Sequence, residues 1–323
     1  MDFRSYTITK DDSGRRIDRV VRRFLPELSL SAVYKLLRKG LIRVDEKRIS
    51  PDFHVEEGSS LSLAAFLFSP QDGPAAEPQV PPNSAPSAAP LSVDIVLETP
   101  DLLFVNKPAG IPVHGEGGLD SLIPSSERAE RSLSFRTGPL HRLDSGTTGL
   151  IAFSRSLEGA RWFSEAIRAH RTEKYYLGIA RGRLDREQEW RDAADDGKAM
   201  ITFATPVARS KSASGDFTLV RYRIVTGRKH QIRIQSARHG HPLAGDRRYD
   251  GHSGSGVAGL SGSYFLHAWQ LHFPEDRLPS LPDHLVAPLP AAFRIMIAKF
   301  FGPDALAHID NGELYWSEHA ELQ

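Results

Sequence analysis

The chain has 323 residues, a formal net charge of +1 and no cysteine. That length accommodates two domains with a sizeable core, and the missing thiols exclude disulfides, thiolate metal sites and cysteine nucleophiles. No apolar run reaches membrane-spanning length, and Met1-Asp2-Phe3-Arg4 has no signal-peptide core, so a cytoplasmic protein is expected.

Phe3–Thr9 reads as a short opening strand, with Ser13 as the cap of a first helix. Ile17, Val20, Val21, Phe24 and Leu25 recur at helical spacing and define one apolar face, which Pro26 ends. A second helix is predicted from about Ser31 to Lys39, with Val33, Leu36 and Leu37 facing inward and Gly40 as its stop. Leu41–Val44 and Leu61–Leu63 read as strands, with a turn at Asp45-Glu46. Between Gly14 and Arg48 there are eleven Lys or Arg against four acids. Arg15, Arg16, Arg19, Lys35, Arg38 and Lys39 are the candidate RNA-binding residues, because such a local excess suits phosphate. A merely solvated helix face accounts for the same charges.

Ser69–Pro90 holds seven prolines and no Lys or Arg. That composition cannot bury a core and favours extended chain, so residues 67–92 are predicted to tether a module at 1–66 to a second domain at 93–323. The tether would let the basic module search RNA.

In the second domain, Val93–Leu97 and Leu102–Val105 read as strands, followed by a shaped loop, Asn106-Lys107-Pro108-Ala109-Gly110. Lys107 taken singly suits the surface. The stretch from Pro139 to Leu150 sets one carboxylate, Asp144, between His141-Arg142 and a Gly146-Thr147-Thr148-Gly149 turn that runs into an apolar strand. An ionised carboxylate beside an arginine can act as nucleophile or electrostatic stabiliser, and equally can cap a turn and pair with Arg142 for structure. Ser156–His170 has helical spacing, Lys174–Gly182 and Phe217–Val225 read as strands, and a helix follows Thr226–Arg233 and ends at Gly240. Asp250–Gly262 reads as a mobile loop and Ala291–Phe301 as a closing helix. His230, His239, His241 and His252 fall close together with Asp246, but lack the spacing of a helical zinc site, so no metal is expected.

Taken as strings, these stretches resemble a known family. His141-Arg142-Leu143-Asp144 with Thr147-Thr148-Gly149 is similar to the catalytic motif of the RluA-type RNA pseudouridine synthases, with Thr148 where that family usually has Ser. Asn106–Gly110, Lys174 with Tyr176, and Thr226–Arg233 resemble its other motifs, in family order, and His241–Tyr249 and Leu266–Ala268 continue the likeness. Gly14–Asp18, Leu28-Ser29, Lys39–Val44 and Val55–Gly58 look like an S4 domain, a small RNA-binding module, although Leu30 and Ala32 flank Ser31 where that family often has a basic residue.

The resemblance implies an α/β (α+β) pseudouridine synthase fold with a mixed, mainly antiparallel sheet, preceded by a small S4-like (alpha-L) domain. It implies Asp144 as the catalytic carboxylate, Arg233 as its ion partner, Tyr176 against the target base and Ile232 as an apolar wall. His141 and Arg142 are expected to bind substrate. It further implies no cofactor and RNA as partner, with large-subunit (23S) ribosomal RNA as the expected substrate; apart from the resemblance, a monomer is expected, with neither membrane nor DNA involved. The competing expectations are a non-catalytic RNA-binding protein of the same fold and an RNA N-glycosidase.

Overall fold

The computed structural model describes residues 2–68, 93–210, 216–250 and 264–310. Of the segment expected to be a Pro-rich tether, all but residues 67 and 68 lies outside these described residues, as does the Gly/Ser-rich stretch after Asp250. None of the helices described is long and apolar enough to cross a membrane.

The N-terminal unit is built from β1 (Phe3–Thr7), α1 (Ile17–Phe24), α2 (Leu30–Lys39), β2 (Ile42–Val44) and β3 (Ser60–Ala64). The strands form an antiparallel sheet in the order β1-β3-β2. The apolar face of α1 buries Ile17, Val20, Val21 and Leu25 against Val33 and Leu37 of α2 and against Ile42, Val44, Leu61 and Leu63 of the sheet. Each such aliphatic side chain contributes on the order of 2 kcal/mol by leaving water. Ser13 does not cap α1. The capping position belongs to Arg16, whose side chain makes no cap bond. The first helical N–H groups of Ile17 and Asp18 donate instead to the Phe53 and Pro51 carbonyls, at 2.8 and 3.3 Å, so the helix start needs no hydroxyl. On α2 the cap is Ser29, whose hydroxyl accepts from the Ala32 N–H at 3.2 Å, and Gly40 ends the helix with φ +69°.

The second unit comprises β4 (Asp94–Glu98), β5 (Leu102–Lys107), α3 (Leu119–Leu122), α4 (Glu127–Arg131), β6 (Gly138–Pro139), β7 (Thr148–Ser154), α5 (Leu157–Arg168), β8 (Glu173–Arg181), β9 (Gln188–Ala193), β10 (Ala199–Arg209), β11 (Phe217–Ile224), α6 (Gln231–Arg238), β12 (Leu266–His272), β13 (His284–Val286), α7 (Ala291–Phe301) and α8 (Pro303–Asp310). Its strands form one sheet in the order β4-β5-β7-β12-β8-β11-β10-β9, with β13 beside β12 and β6 beside β7. Only β7 and β12 pair in parallel among the described strands, so the sheet is mixed and mainly antiparallel. Both faces are covered. Alternate residues such as Val105, Tyr176 and Tyr222 enter one core, while Leu177, Ile179 and Leu219 pack under Phe293, Ile297 and Phe300 of α7 on the other. This is why β7 is buried along its whole length.

One glycine is fixed by the sheet itself. Gly149, at the start of β7, has φ +106°, and a Cβ there would sit 2.2 Å from the Ala268 carbonyl oxygen on β12. Only glycine permits the two parallel strands to approach so closely where the catalytic-motif loop enters the sheet.

The two units meet directly. Asp12 is fully buried and accepts from the Ser132 hydroxyl at 2.7 Å, the Leu133 N–H at 3.1 Å, and the Ser134 N–H and hydroxyl, both at 2.7 Å. These bonds outweigh the effect of burial and hold its carboxyl below the usual range. Leu133 inserts into the core of the N-terminal unit. Asp11 accepts the Leu157 N–H at 2.8 Å, and Lys10 pairs with Glu158 at 2.9 Å. The free search expected of a tethered module is therefore replaced by a seated one.

Candidate active site

Asp144 sits in the turn that precedes β7, with its carbonyl accepting the Thr147 N–H at 3.0 Å. The turn is anchored from three sides. Lys107, at the end of β5, is fully buried rather than at the surface, and its ammonium donates to the Pro108, Ile111 and Ser145 carbonyls at 2.8, 2.7 and 2.9 Å. Thr147 shares a hydrogen bond with the Tyr264 hydroxyl at 3.1 Å. Thr148 meets His267 Nδ1 at 2.8 Å. Because His267 Nε2 faces the Ala287 carbonyl, that nitrogen carries the proton and the Thr148 hydroxyl donates to Nδ1. Gly146 keeps ordinary backbone angles and owes its place to Tyr264, whose ring would lie 3.0 Å from a Cβ.

A guanidinium and an imidazole face the carboxylate. Arg233 Nη1, from α6, is 3.8 Å from one oxygen and His230 Nε2 is 3.6 Å from the other. Neither distance is a hydrogen bond. Arg233 instead gives Nε and Nη2 to Asp246, at 2.7 and 2.9 Å, while the rings of Tyr264 and Tyr249 lie 4.1 and 5.0 Å from its guanidinium carbon. His230 adopts a left-handed backbone, φ +56°, where α6 begins, and its Nδ1 is 2.8 Å from the Tyr249 hydroxyl. Strain of this kind at a non-glycine residue is characteristic of functional sites. Gln231 fixes the approach to α6. Its carbonyl oxygen accepts from Thr226 and the Arg228 N–H, and its amide donates to Ile201 and Thr202 of β10.

The electrostatics follow from burial. Desolvation pulls Lys107 down to about 8, partly opposed by the charge of Asp144. His230 is also held below its ordinary value by burial, with Asp144 opposing and Arg233 adding to the effect. Tyr176, on β8 opposite Ala268, is pushed up by burial and further by Asp144, so it stays a phenol at neutral pH.

Asp144 lies on the floor of a two-lobed cleft. The larger lobe, about 510 Å³, is bounded by Pro112–His114, Arg142–Gly146, His230, Arg233 and Tyr264. The smaller, about 100 Å³, reaches Tyr176, Ile224, Ile232 and Leu266 and supplies apolar walls. Of the residues singled out in the sequence, Asp144, Arg142, Tyr176, Ile232 and Arg233 meet here. Arg142 stands exposed at the rim, and the groups facing Asp144 are Arg233 and His230 rather than Arg142. His141 does not reach the cleft. Its ring stacks on Phe163 at 5.7 Å and its Nε2 accepts the Ala152 N–H at 3.0 Å, with its pKa pushed down to about 4 by burial. The reason is local: His141 still runs alongside β7, with the Leu140 N–H on the Ala152 carbonyl, and the chain turns only at Asp144–Thr147. In the N-terminal unit Arg19, Lys35, Arg38 and Lys39 are exposed, whereas Arg16 pairs with Asp18 at 2.7 Å and Arg15 is engaged with Ser134. Sequence reasoning gave no role to Asp246, Tyr249, Tyr264 or His230. His230, Asp246 and Tyr249 lie within the family-like strings, whereas Tyr264 lies outside all of them.

The chain is similar to known proteins. Residues 101–238 match the RNA pseudouridylate synthase family and residues 15–61 match the S4 domain. The chain is 31% identical over 287 residues to the ribosomal large subunit pseudouridine synthase C of Escherichia coli (strain K12), covering 82% of this chain and 87% of that protein. It is 31% identical over 281 residues to the protein of the same name from Vibrio cholerae serotype O1, with the same coverage. A solved structure, human RNA pseudouridylate synthase domain containing 4, superposes with a TM-score of 0.51 at 23% identity, over 64% of this chain and 92% of that one, which speaks to the fold. Motif order, fold and relatives converge, and the chain belongs to the RluA/RluC-type RNA pseudouridine synthases, with an S4 domain ahead of the synthase domain.

Proposed function

We propose that this enzyme isomerises uridine to pseudouridine in large-subunit ribosomal RNA, with Asp144 as the catalytic carboxylate. In this reaction the N1–C1′ bond of uridine breaks, the uracil turns, and C5 joins C1′. The C5 proton leaves and N1 takes one up, so no redox or group-transfer step is needed. The observation that carries the reading is the placement of Asp144 between Arg233 and His230, on the floor of a cleft whose larger lobe is about 510 Å³. That size suits a single nucleoside. A uridine stacked in a helix cannot reach this floor, so the base must be flipped out. Tyr176 and Ile232 then offer flat and apolar surfaces to the uracil, Arg233 turns one nitrogen toward Asp144, and Arg142 at the rim faces the RNA. Arg19, Lys35, Arg38 and Lys39 of the S4 domain supply phosphate affinity. The residues divide into an S4 unit, a tether and a synthase domain from about residue 93.

The test is tritium release from C5-labelled uridine in ribosomal RNA transcripts, with Asp144→Ala alongside the wild type. Release by the wild type and none by the variant, with RNA binding kept, is the expected result. Binding without release by the wild type would instead leave an RNA-binding protein of the same fold. Free uracil as the product would point to a glycosidase.

A further inference from the structure

The seam between the two units carries a cluster of arginines that neither unit possesses alone. Arg15 Nη1 donates to the carbonyl and hydroxyl oxygens of Ser134, both at 3.1 Å. Arg136 Nη1 donates to the Ser132 and Phe135 carbonyls at 2.9 and 2.7 Å. Both guanidinium groups thus rest on the short segment that Asp12 seats against the N-terminal unit. Among the described residues these hydrogen bonds use Nη1 alone, which leaves Nε and Nη2 of each arginine for an anion. Exposed Arg23, at the end of α1, lies within electrostatic reach of both, and exposed Arg161, on α5, within reach of Arg15. Burial together with repulsion from neighbouring arginines holds Arg15 and Arg136 below their usual values, against the pull of Asp12.

The acids at the seam offset only part of this charge. Asp12 is buried and turns its oxygens toward backbone N–H groups and hydroxyls, and Asp11 is buried and accepts the Leu157 N–H. With Lys10 paired to Glu158, four arginines stand against these two carboxylates, and the local charge stays positive. Closely placed guanidinium groups match phosphate oxygens in geometry as well as charge.

We propose that the seam is a composite binding site for the phosphodiester backbone of the substrate RNA, closed by Arg15 and Arg23 from the S4 unit and by Arg136 and Arg161 from the synthase domain. Arg136 lies eight residues before Asp144 on the same strand-to-turn path, so a phosphate held here sets the distance between the bound stem and the flipped uridine. Seating of the S4 unit through Asp12 is then part of substrate recognition. This rests on the reading of the chain as an enzyme acting on RNA.

The test measures binding of the full chain to a large-subunit ribosomal RNA transcript across roughly 50 to 200 mM salt. Removing two phosphate contacts in the double variant Arg23→Ala/Arg161→Ala is expected to make the slope of log affinity against log salt shallower by about 2, and to raise KM. Arg183→Ala/Arg191→Ala removes the same charge from the exposed far side of the synthase domain and is expected to keep the wild-type slope. A wild-type slope in the seam variant, or an equal change in the control, overturns the proposal. Pseudouridine formation by the wild type on the same transcript reports separately on the catalytic reading, so the two can fail independently.

Discussion

Arg233 is held by Asp246, not by the carboxylate it serves. Two of its nitrogens bond Asp246 at 2.7 and 2.9 Å, and only Nη1 faces Asp144, at 3.8 Å. The division has a chemical use. A guanidinium locked onto Asp144 in a short bidentate pair would occupy both oxygens. One fixed elsewhere directs positive charge toward Asp144 while leaving its oxygens open to the ribose. The same short segment directs the imidazole on the other side of Asp144, because Tyr249 contacts His230 Nδ1 at 2.8 Å.

Asp246→Asn should therefore impair catalysis more than RNA binding. Arg233 loses half of a buried ion pair, which costs on the order of 3 kcal/mol of stability. A misaimed guanidinium lowers turnover by about 100-fold. Single-turnover pseudouridine formation, measured well below the lowered Tm, should show the fall in rate with little change in RNA affinity.

His141 should behave in the opposite way. Its Nε2 accepts the Ala152 N–H and its ring covers Phe163. His141→Leu leaves that N–H without a partner, at a cost of about 1–3 kcal/mol. The variant should melt earlier and yet turn over RNA within a few-fold of the wild type when folded. A large loss of turnover at unchanged Tm would return His141 to the substrate.

The contrast shows what was legible in the sequence. The apolar faces of α1 and α2, the Gly40 stop and the turn before β7 follow from local periodicity and backbone freedom, and all are present. The Arg233–Asp246 pair spans a helix and a loop, and two carboxylates competed for one arginine, so spacing could not choose between them. Lys107 looked like a surface residue because a lone lysine ordinarily is one. Only the convergence of three carbonyls, one from the Asp144 turn 38 residues away, explains its burial. The seating of the S4 unit depends on Asp12 and on Ser132–Ser134, which no pattern connects across more than a hundred residues.

Gly149→Ala should be among the most damaging small substitutions in the chain. The new Cβ would meet the Ala268 carbonyl at 2.2 Å, in a backbone conformation with φ +106°. The β7–β12 pair cannot separate without moving Asp144 away from Tyr176, whose strand pairs with Ala268 on the far side of β12. Destabilisation of about 4 kcal/mol or more is expected, read as a lowered denaturant midpoint or loss of soluble protein.

Lys107 gives a pH signature with a definite sign. Burial draws its pKa down to about 8, below the 10.5 of an unhindered lysine. Below about pH 8 both the folded and unfolded chains hold the proton, and the cost of burying the charge is carried in full. Between about 8 and 10.5 the unfolded chain binds more protons than the folded one, so stability rises with pH. The gain is at most about 3 kcal/mol. Lys174 is shifted in the same direction by burial, so the wild type alone does not isolate the effect. The difference in unfolding free energy between wild type and Lys107→Met does, since other titrations cancel. It should move in favour of the wild type as pH is raised across that window, and a difference that stays flat would mean that Lys107 titrates at its ordinary value in the folded protein.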